Sequence, residues 1–380
     1  MSKKILASIL VFALFIFGIH FTGYADEPLS VTAPSALLMD FDTGKVLYEK
    51  NSHEKRACAS ITKVMTLCLI FEAIDAGKID YDTIVTTTPA AAAAGGSDIW
   101  LVEGEQMSVN DLIKAIVVAS ANDAAVAVAE HLCGSEKAFV EQMNKKAQEL
   151  GMKDTLFKNC SGLDEEGHLT SAYDVALMSR ELMKHEEIFN YTSIWLDYLR
   201  DGATQIVNTN KLLKTYDGIT GLKTGTTSQA GACISATAKR DGMSLISVIL
   251  GAENTSDRFN DAASLLNYGF ANYTSVEPPT PDDSTGYVNV SKGMCDTAAV
   301  KPEIKGKFLM EKGLQDSIIS EIRLKDEVEA PVEKGQEVGR VTFKCGDTVL
   351  GEYKIVSLEN IERINFSGVF GLMLSSFLSQ

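Results

Sequence analysis

Ser60-Ile61-Thr62-Lys63 places a hydroxyl and an amine three residues apart, at the head of a strongly apolar run. On a helix that spacing puts both groups on one face and within mutual reach. A serine becomes a nucleophile only beside a base, and a lysine acts as that base only when its pKa is depressed. Burial in an apolar setting, or a second cation close by, would depress it. The positive end of a helix macrodipole helps to stabilise an oxyanion and disfavours a charged lysine there. Two further groups fit the same chemistry, attack of a serine on a carbonyl. Ser120-Ala121-Asn122 lies between two helical patterns, where a short connection can present both polar side chains. Lys223-Thr224-Gly225 lies on a strand pattern, where a glycine admits the close approach of another backbone.

Each group has a plainer alternative. Ser-x-x-Lys recurs at Ser52-His53-Glu54-Lys55, so the pattern alone is cheap. That second copy has no periodic apolar residues behind it and reads as a solvated loop. Ser, Asn and Asp also cap helices, which suits Ser108-Val109-Asn110 with Asp111 better than Ser120. A lysine on a strand edge often serves only to block edge-to-edge pairing. The three groups gain weight together, because this order on these elements is the set described for serine penicillin-binding proteins and β-lactamases.

The elements that must position them follow from periodicity. Residues 35–40 and 45–48 flank Asp42-Thr43-Gly44, a hairpin signal. Residues 60–75 read as a helix apolar on nearly every side, which belongs inside a domain. After a Thr, Pro, Ala and Gly-rich loop at 86–96, helical patterns follow at 109–119, 123–132, 135–150 and 171–185, the last begun by Ser171 with Asp174 three residues on. From about 217 the period changes to buried strands at 221–225, 232–238 and 245–250, closed by a helix from Asp257 to Tyr268. A hairpin first, helices next and strands last let both chain ends meet in one antiparallel sheet flanked by helices, with an all-helical lobe: an α+β fold. The Pro-rich stretch Glu277 to Asp283 breaks the pattern, and residues 284–360 read as a small all-β domain.

Composition narrows the function classes. The 380 residues carry 35 Lys and Arg against 51 Asp and Glu, a formal charge of −16, which argues against nucleic acid as a partner. The seven cysteines are scattered, with no C-x-x-C pair and no Cys/His cluster, so neither a metal nor any other cofactor is expected. Lys3-Lys4, the apolar stretch 5–19 and Gly23-Tyr24-Ala25 form an export signal over residues 1–25. Residues 26–275 are then the catalytic domain, 276–360 the β domain, and 361–380 a tether. In that last segment Phe366, Val369, Phe370, Met373, Leu374, Phe377 and Leu378 follow helical spacing. With polar breaks at ~20 residues it suits an interfacial helix better than a span.

The chain resembles the D-alanyl-D-alanine carboxypeptidase family of low-molecular-mass penicillin-binding proteins, from about Ala33 to the C-terminus. The resemblance rests on residues 59–66 around Ser60 and Lys63, on 119–125 around Ser120 and Asn122, and on Gly221 to Thr227. Ala230-Gly231-Ala232-Cys233, Gly95-Gly96-Ser97, His168 to Asp174 and Asn267 to Phe270 match further segments. The resemblance implies a β-lactamase/transpeptidase-like catalytic fold and removal of the terminal D-alanine from peptidoglycan stem peptides through an acyl-enzyme. β-Lactams would be covalent inhibitors, and the outer face of the cytoplasmic membrane would be a partner of the C-terminal helix. It implies Ser60 as nucleophile, Lys63 as base, Ser120 and Lys223 as proton relay, with Lys223 keeping Lys63 neutral. Asn122 would bind the substrate amide, Gly225 admit its backbone, and Thr226 share an oxyanion hole with Ser60. Thr224 and Arg258 would take the terminal carboxylate. Thr226 departs from the His or Tyr common in relatives. The competing expectations are a serine β-lactamase, for which no deacylating carboxylate stands out, and an inactive wall-binding or β-lactam-sensing module.

Overall fold

Strands β1 (Ser35–Asp40) and β2 (Val46–Lys50) pair antiparallel around the Asp42-Thr43-Gly44 turn, as the hairpin signal predicts. In this computed structural model, which describes residues 29–281 and 286–371, β1 also pairs antiparallel with a strand two hundred residues later. That partner is the last of three long strands, β3 (Ile219–Thr227), β4 (Gly231–Arg240) and β5 (Met243–Ala252). The sheet order is β2-β1-β5-β4-β3, antiparallel throughout, so β3 is an edge strand. The chain's two ends meet in one sheet because β1 and β5 are both buried on both faces.

Helix α1 (Lys63–Asp75) runs through the interior, with Val64, Met65, Cys68 and Ile70 fully buried. Each such aliphatic side chain removed from water contributes about 1.5–3 kcal/mol, which explains why a helix apolar on all sides is tolerated. Its expected start at residue 60 is instead a 3-10 turn, Ala59–Thr62, entered through Ala59 in the left-handed region at φ 49°. Around α1 pack α2 (Val109–Lys114), α3 (Asn122–Cys133), α4 (Glu136–Glu149) and α5 (Ala172–Leu182). The caps read from the sequence form: the Ser108 and Ser171 hydroxyls accept from the N–H groups of Asp111 and Asp174 at 3.2 Å each. The single helix expected over 109–119 does not stay α. It widens into a π turn at Ala115–Ala119 and stops at Ser120, whose φ is 62°. Helix α6 (Thr255–Asn272) covers the other side of the sheet and is longer than its pattern suggested. Its Asp261 carboxylate accepts from the N–H groups of Thr32 and Ala33, fastening the first strand's approach.

The hairpin Leu196–Leu199 with Thr204–Val207 was not anticipated, since two four-residue strands leave almost no period to read. Beyond α6, Tyr273–Val276 pairs with Phe308–Glu311, so this strand straddles the boundary expected at 275/276. A six-stranded sheet then runs in the order Ile318–Leu324, Glu337–Cys345, Thr348–Ser357, Thr297–Pro302, Gly286–Ser291, Glu327–Glu329. It closes on its own core of Val288, Val300, Phe308, Val341, Phe343 and Ile355. The export signal expected over residues 1–25 lies outside the described residues, as do residues 372–380 of the expected tether; residues 366–371 are helical, with Phe366 and Phe370 exposed and stacked.

Candidate active site

The 3-10 turn delivers Ser60, and the first residue of α1 delivers Lys63, whose ammonium lies 2.9 Å from Ser60 Oγ. Lys63 is fully buried. Its Nζ donates to Asn122 Oδ1 at 2.5 Å and to the Ser161 carbonyl at 2.7 Å, so a group that would otherwise be an uncompensated buried charge has three partners. Burial pulls its pKa down to about 7, against weaker opposing pulls from carboxylates including Asp98 and Asp123. At neutral pH a large fraction of Lys63 is therefore a free amine aimed at a hydroxyl.

Ser120 reaches the same place from the end of the π turn. Its left-handed backbone costs on the order of 1–3 kcal/mol, a strain that persists only where the surroundings over-determine it. The turn aims Ser120 Oγ at Lys223 Nζ, 2.9 Å away, while Lys223 also donates to the Thr224 carbonyl at 3.1 Å. Lys223 is 1% exposed, which separates it from a solvated edge lysine. Burial holds its pKa well below the usual lysine value, and the Lys63 and Arg258 cations lower it further. For both lysines burial is the leading cause of the lowered pKa.

Asn122 is fixed at three points: its Oδ1 on Lys63, its Nδ2 on the Gly95 carbonyl at 2.7 Å, and its N–H on the Ser97 carbonyl at 2.6 Å. Gly225 allows β3 to lie against the nucleophile's turn. A Cβ there would sit 2.7 Å from the Cys58 carbonyl and 2.9 Å from Ser60 N. Gly162 does the same from the opposite side, its hypothetical Cβ falling 1.9 Å from the Ala59 carbonyl, with φ at 88°. The Thr224 hydroxyl donates to Thr209 Oγ1 at 2.6 Å. Arg258, largely buried, donates through Nη1 to the Gly225 carbonyl at 3.0 Å and to Thr226 Oγ1 at 2.9 Å. Its Nε is buried with no hydrogen-bond partner among the described residues.

Ser60, Lys63, Ser120, Asn122, Lys223, Thr224, Gly225, Thr226 and Arg258 thus gather around one edge of the sheet. The second Ser-x-x-Lys does not join them. Ser52 is buried rather than solvated, since its hydroxyl donates to Glu49 Oε2 at 2.6 Å, while His53, Glu54 and Lys55 are exposed. His168 is a support: Lys158 N–H donates to Nδ1 at 3.3 Å, leaving Nε2–H to donate to Thr62 Oγ1 at 2.9 Å. Burial lowers its pKa to about 4, which keeps that neutral tautomer through the physiological range. Sequence reading missed the Ser161 carbonyl, because a backbone acceptor carries no residue-type signal. Thr209 was missed for want of any motif around it. Asp123 hid behind its neighbour Asn122, yet its carboxylate takes the N–H groups of Ile99 and Leu101 and so shapes the loop behind Asn122. Among the described residues no cluster of His, Cys, Asp and Glu could hold a metal, and all seven cysteines are free thiols. Cys58, beside the nucleophile, is pushed up to about 12 by burial and stays a thiol.

Comparison with known proteins bears on this geometry. The family model for D-alanyl-D-alanine carboxypeptidase matches residues 22–254, and that for the penicillin-binding protein 5 C-terminal domain matches residues 273–363. The chain is 42% identical over 348 residues to the D-alanyl-D-alanine carboxypeptidase DacF of Bacillus subtilis, covering 90% of each protein. It is 33% identical over 347 residues to DacA of Escherichia coli, covering 89% of this chain and 86% of that one. Penicillin-binding protein 5 of Haemophilus influenzae superposes with a TM-score of 0.77 at 29% identity, over 88% of this chain and 98% of that one. The ampicillin-bound penicillin-binding protein D2 of Listeria monocytogenes superposes with a TM-score of 0.58 at 34% identity, over 64% and 99%.

Proposed function

Since this chain belongs to the D-alanyl-D-alanine carboxypeptidase family, we propose a reaction path in which its own residues divide the proton and charge traffic. The protein is a serine-type D-Ala-D-Ala carboxypeptidase with a penicillin-binding fold and a C-terminal β domain; the relatives favour this over a β-lactamase or an inactive sensor. The single observation that carries the path is Lys63 Nζ, fully buried, with a pKa near 7 and 2.9 Å from Ser60 Oγ. Neutral Lys63 takes the Ser60 proton as Oγ attacks the penultimate D-alanine carbonyl. The oxyanion that forms is taken by the Ser60 and Thr226 N–H groups, each such donor supplying up to ~3 kcal/mol of barrier reduction. Because β3 is an edge strand, its free side can pair with the substrate's extended backbone, while Gly225 lets the strand lie against the turn that carries Ser60.

Collapse of the tetrahedral intermediate breaks the C–N bond. Ser120 and Lys223, hydrogen-bonded at 2.9 Å, pass a proton to the departing amine. The terminal carboxylate lies toward Thr224, Thr226 and Arg258, where burial and an unpartnered Nε leave the guanidinium donor capacity to spare. Asn122 Nδ2 orients the acyl side. Water then attacks the ester, with Lys63 again the base, and the chain releases a shortened stem peptide. A β-lactam follows the same first step and stays on Ser60 because its ring-opened amine remains attached.

The protein is exported, with residues 1–25 removed, and residues 361–380 hold it at the outer face of the cytoplasmic membrane as a peripheral helix. The exposed, stacked Phe366 and Phe370 support that reading, and no helix among the described residues is long and apolar enough to cross a membrane. Purified protein incubated with diacetyl-L-Lys-D-Ala-D-Ala should release D-alanine and form a penicillin adduct on Ser60. S60A should do neither, and residual turnover by folded S60A would refute the assignment. Deleting 361–380 should move the protein from membrane to soluble fractions; unchanged partitioning would refute the tether.

A further inference from the structure

The turn that carries Ser60 lies between two walls. On one side Gly225 of β3 packs so closely that a Cβ there would meet the Cys58 carbonyl at 2.7 Å and Ser60 N at 2.9 Å. On the other is the loop 159–165, where Gly162 leaves room for the Ala59 carbonyl. This loop is anchored to α1 at two points: the Thr66 hydroxyl donates to the Cys160 carbonyl at 2.6 Å, and Lys63 Nζ to the Ser161 carbonyl at 2.7 Å. Asn159 stiffens it from within, its Oδ1 accepting from the Gly162 N–H at 2.7 Å and its Nδ2 donating to the Leu163 carbonyl at 3.1 Å. Asp164 then bridges to the end of β3. Its carboxylate accepts from the Thr227 hydroxyl at 2.6 Å, the Ser228 hydroxyl at 3.3 Å and the Gln229 N–H at 3.4 Å.

Capping the turn between β3 and β4 does not require that carboxylate. Thr227 Oγ1 already accepts from the Ala230 N–H at 3.1 Å, three residues on, whereas Asp164 comes from 63 residues away. What the carboxylate adds is closure. Among the described residues β3 is the edge of its sheet, so Thr226 and Thr227 are paired on the β4 side, with Ala232 and Gly231. Arg258 donates to Thr226 Oγ1 from the buried side, and Asp164 takes Thr227 from the exposed side. The strand's end, the loop and the turn between them thus form a closed ring, with Asp164 as the last link. A carboxylate suits that place, because a charged acceptor makes hydrogen bonds about twice as strong as a neutral one and has lone pairs for three donors. Without it the end of an edge strand is free to swing away from Ser60, and a displacement of ~1 Å at a reacting centre can cost about 10²-fold in rate.

Resting on the carboxypeptidase reading, we propose that Asp164 is a positioning residue. By tying the loop of Ser161 to the end of β3 across the nucleophile's turn, it sets the separation of the Ser60 and Thr226 N–H groups that take the oxyanion. The test uses stopped flow with a fluorescent penicillin to measure the acylation rate constant at saturation and the dissociation constant before acylation. The proteins are wild type, D164A, D164N, T227V, T227S and the double variant D164A/T227V, each checked by thermal unfolding. D164A and T227V should each acylate about tenfold more slowly, with the dissociation constant within about twofold of wild type. D164N, whose amide oxygen still accepts, and T227S, which keeps the hydroxyl, should recover most of the rate. The double variant should be no slower than the slower single one, since one link is broken either way. If D164A does not fold, T227V and T227S read the same link. A folded D164A or T227V that acylates within about twofold of wild type overturns the role of Asp164, as do equal losses in rate and binding. A double variant whose losses multiply overturns it too, and each of these results leaves the enzyme assignment standing. No acylation and no D-alanine release by wild type overturns the carboxypeptidase reading and this inference with it.

Discussion

Replacing Gly225 by alanine tests how closely β3 must approach the nucleophile. A Cβ at this position would meet the Cys58 carbonyl at 2.7 Å, Ser60 N at 2.9 Å and Ala59 Cβ at 3.0 Å. Two of these are backbone atoms of the 3-10 turn, which Gly162 pins from the other side, so the turn cannot retreat. The strand must move instead, by roughly 0.7 Å to reach ordinary contact. That shift carries the Thr226 N–H away from the 2.7–3.1 Å range in which an oxyanion donor acts, and loss of one such donor costs ~3 kcal/mol of barrier. At 1.36 kcal/mol per decade the acylation rate should fall about 10²-fold. Overpacking costs ~1–3 kcal/mol of stability, a few degrees in Tm for a domain this size, so G225A should still fold. Stopped-flow acylation by a fluorescent penicillin measures the rate, and thermal unfolding checks the fold. A folded G225A that acylates within threefold of wild type would refute this account of the oxyanion hole.

Other outcomes follow from the same geometry. The acylation rate should rise with pH and level off above about 7, because Lys63 is the base only when neutral and burial puts its pKa at about 7. Near pH 6 it should be roughly a tenth of the plateau, and a flat profile from pH 5.5 to 7.5 would count against Lys63. H168A should lose about 1–3 kcal/mol of stability by removing the imidazole partner of the buried Thr62 hydroxyl and leaving it the weaker contact with Cys58 Sγ at 3.4 Å, yet leave the midpoint of that pH profile in place, since His168 is neutral above about 4. A midpoint displaced by a full pH unit would make His168 part of the proton path. D123A frees the N–H groups of Ile99 and Leu101, so it should raise KM for peptides more than it slows acylation by penicillin; equal losses would point to a general structural defect.

The sequence alone determined the chemistry's parts list and the broad fold. Ser60, Lys63, Ser120, Asn122 and Lys223 were legible as candidates because the proposed roles of nucleophile, base and relay demand particular residue types, and the fold brings these side chains together. The central position of α1 was legible too, since a helix apolar on all sides has nowhere else to go. Helix starts at Ser108 and Ser171 followed from local hydrogen bonding that needs no distant partner. Tertiary structure decided what depends on neighbours far along the chain. The pKa of Lys63 belongs to its burial among groups up to 98 residues away, and the Ser161 carbonyl that binds it has no signature in residue type. The 3-10 start of the nucleophile's turn and the π turn before Ser120 break the helical period without breaking the apolar pattern, so periodicity could not reveal them. The fate of Arg258 and of Ser52 was also settled by packing: one a buried donor beneath β3, the other a hydroxyl tied to Glu49. Residue type declares what a side chain is able to do; the surrounding chain sets the solvent and the charge in which it does it.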